Sequence, residues 1–356
     1  MPEQLDIGVE GRLGVIALDR PEAINALSPA MIEGITAQLS AWRNDPGIGA
    51  VLFEGRGPKG FCAGGDVRVV RGHVADGHPE RAEAYLAAEY HMDGMVATYP
   101  KPVVALTDGI VMGGGIGIAG HASFRITTPN ARYAMPEAGI GLYPDVGVNW
   151  ILAKTPEHRA LLFLLAGLPV SGADVLALGL ADCCIEPEKM TEFRGGVVTA
   201  VGTGDIEPAL VALMQGYSIQ AGERQLGRLA DRHADPLSLA GADEILEALA
   251  EEAEEDPELT PYVEAIGSRS RMSLMAIVSG HRAARRLTSV EAVLELDLRL
   301  TSLLMRHPDF AEGVRAQLID KDRQPRWQPG WPDAAARAAL ADAVAGPPEP
   351  ALTARA

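Results

Sequence analysis

The stretch Lys101–Asp145, which reads KPVVALTDGIVMGGGIGIAGHASFRITTPNARYAMPEAGIGLYPD, holds the most distinctive combination of residues in the chain. The apolar run Val103–Leu106 predicts a buried strand, and the glycines Gly113–Gly115 follow it at the start of a predicted helix. Two isolated carboxylates, Glu137 and Asp145, then stand among apolar or small residues. Backbone N–H groups exposed by glycines, together with sheltered acids, are suited to chemistry beside a carbonyl group.

Strands and helices alternate on both sides of this stretch, which predicts an α/β core. Residues 5–18 are predicted to form two short strands, and Ser28 followed by Pro29 is a typical helix start. Apolar side chains recur at helical spacing after that start, at Met31, Ile32, Ile35, Leu39 and Trp42. Further strands are expected at 50–53, 124–127 and 133–135, and a helix at 81–98. We therefore expect a core over residues 1–200.

Residues beyond about 156 show mainly helical periodicity. We expect a mostly helical region over 201–332 and a flexible tail over 333–356, where the sequence becomes rich in alanine and then in proline.

Composition limits the classes of function. The chain has 356 residues, of which 47% are hydrophobic and 22% charged, so a large packed core is expected. The net charge of −17 argues against nucleic acid or an anionic membrane as a partner. Three cysteines, Cys62, Cys183 and Cys184, make no disulfide framework. With no leader sequence or apolar span evident, we expect a cytoplasmic protein, and the scattered histidines predict no metal site.

A second glycine-containing loop, Gly64-Gly65-Asp66, also follows a predicted strand. By itself it is as consistent with a tight turn as with a ligand contact. Taken together with Gly114 it offers two N–H groups from separate loops for one oxygen, the arrangement of an oxyanion hole. Glu137 alone is equally consistent with a surface position at a strand end. Asp145 is also suited to cap a helix over 146–153.

These residues give the chain a resemblance to the crotonase superfamily of acyl-CoA enzymes. The resemblance extends over most of residues 8–327 and is carried by the segments Asp19–Leu27, Phe61–Asp66, Lys101-Pro102 with Met112–Gly115, Ala134–Glu137 and Pro144–Gly147. A late segment, Met305–Asp322, resembles the hydrolase branch of that superfamily. The resemblance implies a spiral of strand–strand–helix turns with a mostly helical C-terminal region.

The resemblance also implies roles for particular residues. Gly65 and Gly114 match the two backbone donors to the thioester oxygen, and Glu137 matches the catalytic glutamate. Asp145 matches a second acid near the 3-hydroxyl group of the substrate, and Glu89 matches a glutamate of the substrate site. The remaining matches to the substrate and coenzyme A path are Glu22, Ala23, Ile24, Ala63, Gly64 and Asp66.

Two positions bear on the reaction. Gly117 stands where hydratases of the superfamily have a second catalytic glutamate, so hydration of a double bond is disfavoured. The bulky Val148, Asn149 and Trp150 stand where the hydrolases usually have more glycines, so the acyl pocket is expected to be narrower.

We therefore expect hydrolysis of a short 3-hydroxyacyl-CoA, most specifically 3-hydroxyisobutyryl-CoA from valine breakdown. Glu137 either attacks the carbonyl or activates water, and the sequence does not choose between these routes. The alternatives are an enoyl-CoA hydratase or isomerase with the same fold, and an acyl-CoA-binding protein without catalysis. No cofactor is expected beyond the coenzyme A of the substrate. The resemblance is to a superfamily in which trimer-based homo-oligomers are common, but the sequence does not decide the oligomeric state. The candidate contacts to the coenzyme A phosphates are Arg20, Lys59, Arg68 and Lys101.

Overall fold

The computed structural model describes residues 4–346, which form a mixed α/β structure. The strands are β1 Leu5–Glu10, β2 Leu13–Leu18, β3 Ala50–Gly55, β4 Gly60–Cys62, β5 Val103–Leu106, β6 Ile110–Met112, β7 Phe124–Thr127, β8 Arg132–Ala134 and β9 Cys183–Cys184. The helices are α1 Pro29–Arg43, α2 Val67–Ala75, α3 Pro79–Ala97, α4 Gly114–His121, α5 Val148–Leu152, α6 Glu157–Ala166, α7 Ala173–Ala177, α8 Met190–Val201, α9 Ile206–Tyr217, α10 Gln225–Arg232, α11 Ala234–Leu237, α12 Ala242–Glu252, α13 Thr260–Gly267, α14 Arg271–Ala284, α15 Val290–Leu304, α16 Pro308–Val314 and α17 Ala334–Ala345. Short 3₁₀ turns occur at Pro21–Ala23, Glu137–Ile140 and Pro187–Lys189, and a π-helical turn at Arg315–Ile319.

The described residues form two compact units that are interleaved along the chain. The first unit contains the chain up to Gly65, His91–Tyr133 and Val170–Arg224. The second contains Asp66–Tyr90, Ala134–Pro169 and the chain from Gln225 onward. The sequence led us to expect regions that follow one another along the chain, at 1–200, 201–332 and 333–356, and not two interleaved units.

The first unit is organised around a six-stranded sheet with the order β1-β2-β3-β5-β7-β9. β1 and β2 are antiparallel, and the later neighbours are parallel, with Leu52 opposite both Val15 and Val104. Parallel strands covered on both faces are typically apolar throughout, as β2 and β5 are. A smaller sheet has the order β4-β6-β8. The predicted α/β class is thereby confirmed.

Helix α1 forms as the sequence predicts. The Ser28 side chain accepts a hydrogen bond from the Met31 N–H, and Pro29 occupies the first turn. The predicted apolar stripe is buried. Trp42 lies against Gly14 of β2, where an added Cβ atom would come within 2.7 Å of the Trp42 ring. The opposite face of the sheet packs on Phe193 and Val197 of α8.

The second unit is mostly helical, and its long helices have wide buried faces. α14 and α15 each begin at a serine whose side chain caps the helix, Ser270 and Ser289. α6 is buried from Ala160 to its end, which explains its almost continuous apolar sequence. No helix within residues 4–346 is long and apolar enough to cross a membrane.

Two expectations need correction, and one helix was missed. The segment 333–356 begins with helix α17, whose Leu340 is buried, and the part beyond residue 346 lies outside the described residues. Helix α2 was not predicted. Asp145 does not cap a helix, because α5 begins only at Val148 after Gly147 in a left-handed conformation.

Asn25 holds together the segment in which Ile24 and Asn25 itself have positive φ angles, a conformation that asparagine tolerates well. Its buried amide group donates to the carbonyl oxygens of Arg56 (3.0 Å), Gly60 (3.2 Å) and Phe61 (3.0 Å). Its Oδ1 accepts a hydrogen bond from the Arg20 N–H at 2.9 Å. One side chain therefore fixes the loop before β4 to the segment before α1.

We expect Asn25→Ala to lower the free energy of unfolding by about 2–4 kcal/mol, because several buried backbone groups lose their partner. Urea denaturation measures this change. Asn44→Ala is the matched control, since Asn44 is exposed at the end of α1, and it should change stability by less than about 0.5 kcal/mol. Equal effects of the two substitutions would contradict this role for Asn25.

Candidate active site

Two glycine loops of the first unit approach each other at the start of α4. A Cβ atom on Gly64, whose φ is +103°, would lie 3.4 Å from the Gly114 nitrogen and 3.1 Å from the Met112 oxygen. A side chain at position 64 would therefore be strained and crowded. Close approach of the two backbones, rather than flexibility, accounts for the glycine here.

The N–H groups of Gly65 and Gly114 are not used by the backbone contacts described for their loops. The Gly64 carbonyl accepts a hydrogen bond from the Leu27 N–H at 2.9 Å. Because a trans peptide directs its C=O and N–H in opposite directions, the Gly65 N–H points away from Leu27. Gly114 is the first residue of α4, where an N–H has no acceptor within the helix. The structure thus brings these two predicted donors into neighbouring loops.

The segment expected to contact coenzyme A lies beside the first glycine loop. The Ala63 N–H donates to the Ile24 carbonyl at 2.9 Å, and Glu22 is exposed in the 3₁₀ turn before it. Among the cation candidates, Lys101 donates to the carbonyl oxygens of Trp42, in the last turn of α1, and of Asp45, just after it. Its charge therefore has a structural use at the end of this helix.

Three of the predicted site acids lie buried in the second unit: Glu89 on α3, Glu137 at the start of its 3₁₀ turn, and Asp145. Burial, followed by the nearby charge of Asp145, raises the pKa of Glu89 to about 8. The same causes raise the pKa of Glu137 well above its usual value. Burial raises the pKa of Asp145 to about 6, with the Tyr90 hydrogen bond opposing. Asp145 is therefore the group of the three that ionises most readily.

The partners of these acids differ. The Tyr90 hydroxyl donates to Asp145 Oδ2 and lies 3.2 Å from Thr301 Oγ1. By contrast, Glu89 Oε1 and Glu137 Oε2 are buried without a hydrogen-bond partner in the part of the chain that the structure describes. Buried acceptors of this kind are unusual in proteins and are suited to receive a ligand group.

Arg269 is a cation that acts on Glu137 and was not predicted from the sequence. Its charge lowers the pKa of Glu137, though less than burial raises it. Its guanidinium donates twice to the Ala166 carbonyl, at 2.6 and 3.2 Å, and lies close to Gly139. A side chain at Gly139 would meet Arg269 Nη1 at 2.6 Å, so the glycine leaves room for this cation.

The backbone of Asp66 is held by a tyrosine of α3. The Asp66 N–H donates a hydrogen bond to the Tyr85 hydroxyl oxygen at 2.9 Å, and the Asp66 side chain does not cap α2. Among residues 4–346, no group of three or more His, Cys, Asp or Glu side chains has the geometry to hold a metal ion.

Gly117 of α4 faces a carboxylate. A Cβ atom at this position would lie 2.7 Å from Asp93 Oδ1 and 2.8 Å from its Cγ, and the Asp93 side chain is fully buried. This acid was not predicted from the sequence, because nothing in the pattern of α3 distinguishes it.

The chain belongs to the enoyl-CoA hydratase/isomerase family, whose model matches residues 13–343. The predicted crotonase-like fold is thereby confirmed, and solved structures agree. A structure described as a carnitinyl-CoA dehydratase from Mycobacterium thermoresistibile has 32% identity and a TM-score of 0.88, covering 99% of this chain and 98% of that one. An enoyl-CoA hydratase from Rhodobacter sphaeroides has 31% identity and a TM-score of 0.86, covering 96% and 97%.

Curated relatives are similar over most of their length. The chain is 35% identical over 323 residues to the mitochondrial 3-hydroxyisobutyryl-CoA hydrolase of Gallus gallus, covering 90% of this chain and 83% of that protein. It is 32% identical to the human protein of the same name, covering 92% and 84%. It is 33% identical to 3-hydroxyisobutyryl-CoA hydrolase 1 of Arabidopsis thaliana, covering 92% and 88%.

The pKa of Glu89 predicts how stability depends on pH. Between about pH 4.5 and 8 the folded state keeps a proton on Glu89 that the unfolded state has lost, so stability falls as pH rises through this window. We expect Glu89→Gln to raise the thermal midpoint by a few degrees at pH 8 and to change it little at pH 4.5. Calorimetry across this range measures the difference. The exposed Glu33→Gln on α1 is the control and should show no such trend; a lower midpoint for Glu89→Gln at pH 8 would contradict the prediction.

Proposed function

We propose that this protein hydrolyses the thioester of a short 3-hydroxyacyl-CoA, with 3-hydroxyisobutyryl-CoA as its substrate and 3-hydroxyisobutyrate and CoA as products. The observation that carries the proposal is the buried pair Glu137 and Asp145, with one Glu137 oxygen left without a partner. The names of the curated relatives support the same reaction. A place in valine breakdown follows from this substrate.

In the proposed mechanism, the N–H groups of Gly65 and Gly114 donate to the thioester oxygen. Negative charge develops on this oxygen in the transition state, where fixed backbone donors need no reorganisation. Loss of one donor of this kind typically slows a reaction roughly 10²–10³-fold.

Glu137 acts on the carbonyl carbon by one of two routes. In the first, its carboxylate attacks, the C–S bond breaks, and the CoA thiolate leaves; water then opens the resulting mixed anhydride. In the second, Glu137 takes a proton from a water molecule that attacks directly. In both routes the raised pKa makes the ionised Glu137 a stronger base or nucleophile than an exposed glutamate.

Asp145 and Glu89 are assigned to the acyl group. Asp145 ionises near pH 6 and is suited to accept a hydrogen bond from the 3-hydroxyl of the substrate. Glu89, with its pKa raised to about 8, is neutral at pH 7 and can donate a hydrogen bond to a substrate oxygen.

A second candidate function is hydration of an enoyl-CoA, or the reverse dehydration. It is favoured by the descriptions of the two solved structures and by the Asp93 carboxylate that lies against Gly117. A role as an acyl-CoA-binding protein without catalysis is disfavoured because Glu137 and Asp145 are both retained in buried positions.

Cytoplasmic location remains a prediction, and the oligomeric state remains open. The curated relatives in Gallus gallus and human are named as mitochondrial proteins.

We expect release of free CoA from 3-hydroxyisobutyryl-CoA and slower release from acyl-CoAs without the 3-hydroxyl. Glu137→Gln should reduce kcat by about 10³-fold or more, since it removes both the base and the nucleophile. A thiol assay over the panel measures release, and absorbance of the conjugated thioester with crotonyl-CoA reports hydration. If no 3-hydroxyacyl-CoA releases CoA, the hydrolase proposal is contradicted. Rapid loss of the conjugated-thioester absorbance of crotonyl-CoA would favour hydration.

Single-turnover hydrolysis in water enriched in ¹⁸O separates the two routes. Mass spectrometry of the peptide that contains Glu137 detects any label in its carboxyl group. Label there excludes direct attack by water, because Glu137 never forms a covalent bond on that route.

The cation beside Glu137 predicts a shift in the pH profile. Arg269→Gln removes a charge that lowers the pKa of Glu137, so the rising limb of kcat/KM should move to higher pH. Arg269→Lys, which keeps the charge, is the matched control and should shift the limb less. A limb that stays in place or moves to lower pH in Arg269→Gln would show that this charge does not act on the catalytic group.

A further inference from the structure

The turn that carries Asp145 has a strained backbone. Val146 has a φ of +54°, a left-handed conformation that is unfavourable for a β-branched residue, and Gly147 follows with +71°. Such a backbone persists only where the surrounding structure holds it. One restraint is the hydrogen bond from the Gly147 N–H to Asp297 Oδ2, at 2.8 Å in the buried interior.

Asn149 holds the other side of this turn. Its fully buried amide group donates to the Pro144 carbonyl and to the Tyr143 hydroxyl oxygen, each at 2.9 Å. These are the two residues that precede Asp145. Since the Pro144 carbonyl can only accept, the amide nitrogen must face it, and the Asn149 oxygen must face the opposite direction.

The Asn149 oxygen meets His281 of α14. His281 Nδ1 lies 2.9 Å from Asn149 Oδ1, and the imidazole is fully buried. Because that oxygen only accepts, Nδ1 must carry the hydrogen. Burial and the charge of Arg285 lower the pKa of His281 to about 4, so the ring is neutral at pH 7.

The arrangement is costly for stability alone. His281 Nε2 is buried without a hydrogen-bond partner within residues 4–346, and an unpartnered buried group destabilises the fold. Apolar side chains would fill this space at no such cost. A function other than packing therefore explains why the polar residues Asn149 and His281 contact the turn that carries Asp145.

We propose that Asn149 and His281 are positioning residues for Asp145, with His281 fixing the Asn149 amide and Asn149 fixing the backbone at Tyr143 and Pro144. The proposal rests on the proposed function, because it explains these contacts by the catalytic role of Asp145. It gives Asn149 a role different from the narrowing of the acyl pocket expected from its size.

A double-mutant cycle tests the proposal. Asn149→Ala should lower kcat for CoA release by about 10–100-fold with little change in KM, since a displaced acid loses its productive geometry. In the Asp145→Asn background the same substitution should lower kcat by no more than about threefold, because the group that it positions is already gone. Thr155→Val is the matched control: it removes the buried hydrogen bond from Thr155 to the Leu152 carbonyl and should leave kcat unchanged.

His281 supplies a second arm that does not depend on the folding of Asn149→Ala. His281→Leu removes the donor to Asn149, whereas His281→Asn keeps a donor near the place of Nδ1. We expect kcat to fall in His281→Leu and to be largely restored in His281→Asn. Equal kcat values for these two variants would overturn the proposal, as would multiplicative effects of Asn149→Ala and Asp145→Asn.

A structural readout separates failure of this proposal from failure of the proposed function. If the wild-type protein releases no CoA from any 3-hydroxyacyl-CoA, the hydrolase proposal fails. In that case the crystal structure of His281→Leu tests whether His281 positions Asp145. A shifted 143–147 turn and a lost contact between Tyr90 and Asp145 support positioning. An unmoved Asp145 overturns it.

Discussion

The second unit depends on burying carboxyl groups that have no cation hydrogen-bonded to them. Desolvation is the largest cause of the raised pKa values of Glu89, Glu137, Asp145 and Asp297. An isolated buried charge costs several kcal/mol, so such groups retain protons instead. The nearby charge of Asp145 adds to the effect on the others. This crowding of acids destabilises the fold increasingly as pH rises above about 4.5. The same crowding makes strong bases, which is why we interpret it as functional.

The helical region provides the restraint that these acids require. α15 contributes Thr301 beside the Tyr90 hydroxyl and Asp297 on the Gly147 N–H, four residues apart and therefore on the same face of the helix. α3 presents Glu89 and Tyr90 in succession, one as an acid and the other as the donor to Asp145. The late helices thus hold the strained turn in place. In the proposed mechanism these helices support catalysis by holding the turn of Asp145.

The sequence predicted what depends on local pattern. The cap and the apolar stripe of α1, the buried strand at Val103 and the helix start at Gly114 follow from spacing and side-chain type, and the structure has them. Polar partners distant in the sequence were missed. Tyr90 and Asp145 are 55 residues apart, and Asn149 and His281 are 132 apart. A periodic pattern tells which face of a helix is buried, but not which buried polar group it meets.

The same limit affects the choice between hydrolysis and hydration. From the sequence, Gly117 removes a carboxylate from α4 and thereby disfavours hydration. The structure shows that the space beside Gly117 is filled by the carboxyl group of Asp93, so α3 supplies an acid beside the position where α4 lacks one. The absence of a carboxylate at Gly117 is therefore weaker evidence against hydration than it is when the sequence of α4 is considered alone. The case for hydrolysis then depends on Glu137 and Asp145 themselves, because a buried acid pair with a bare glutamate oxygen is suited to attack a thioester whatever stands at Gly117.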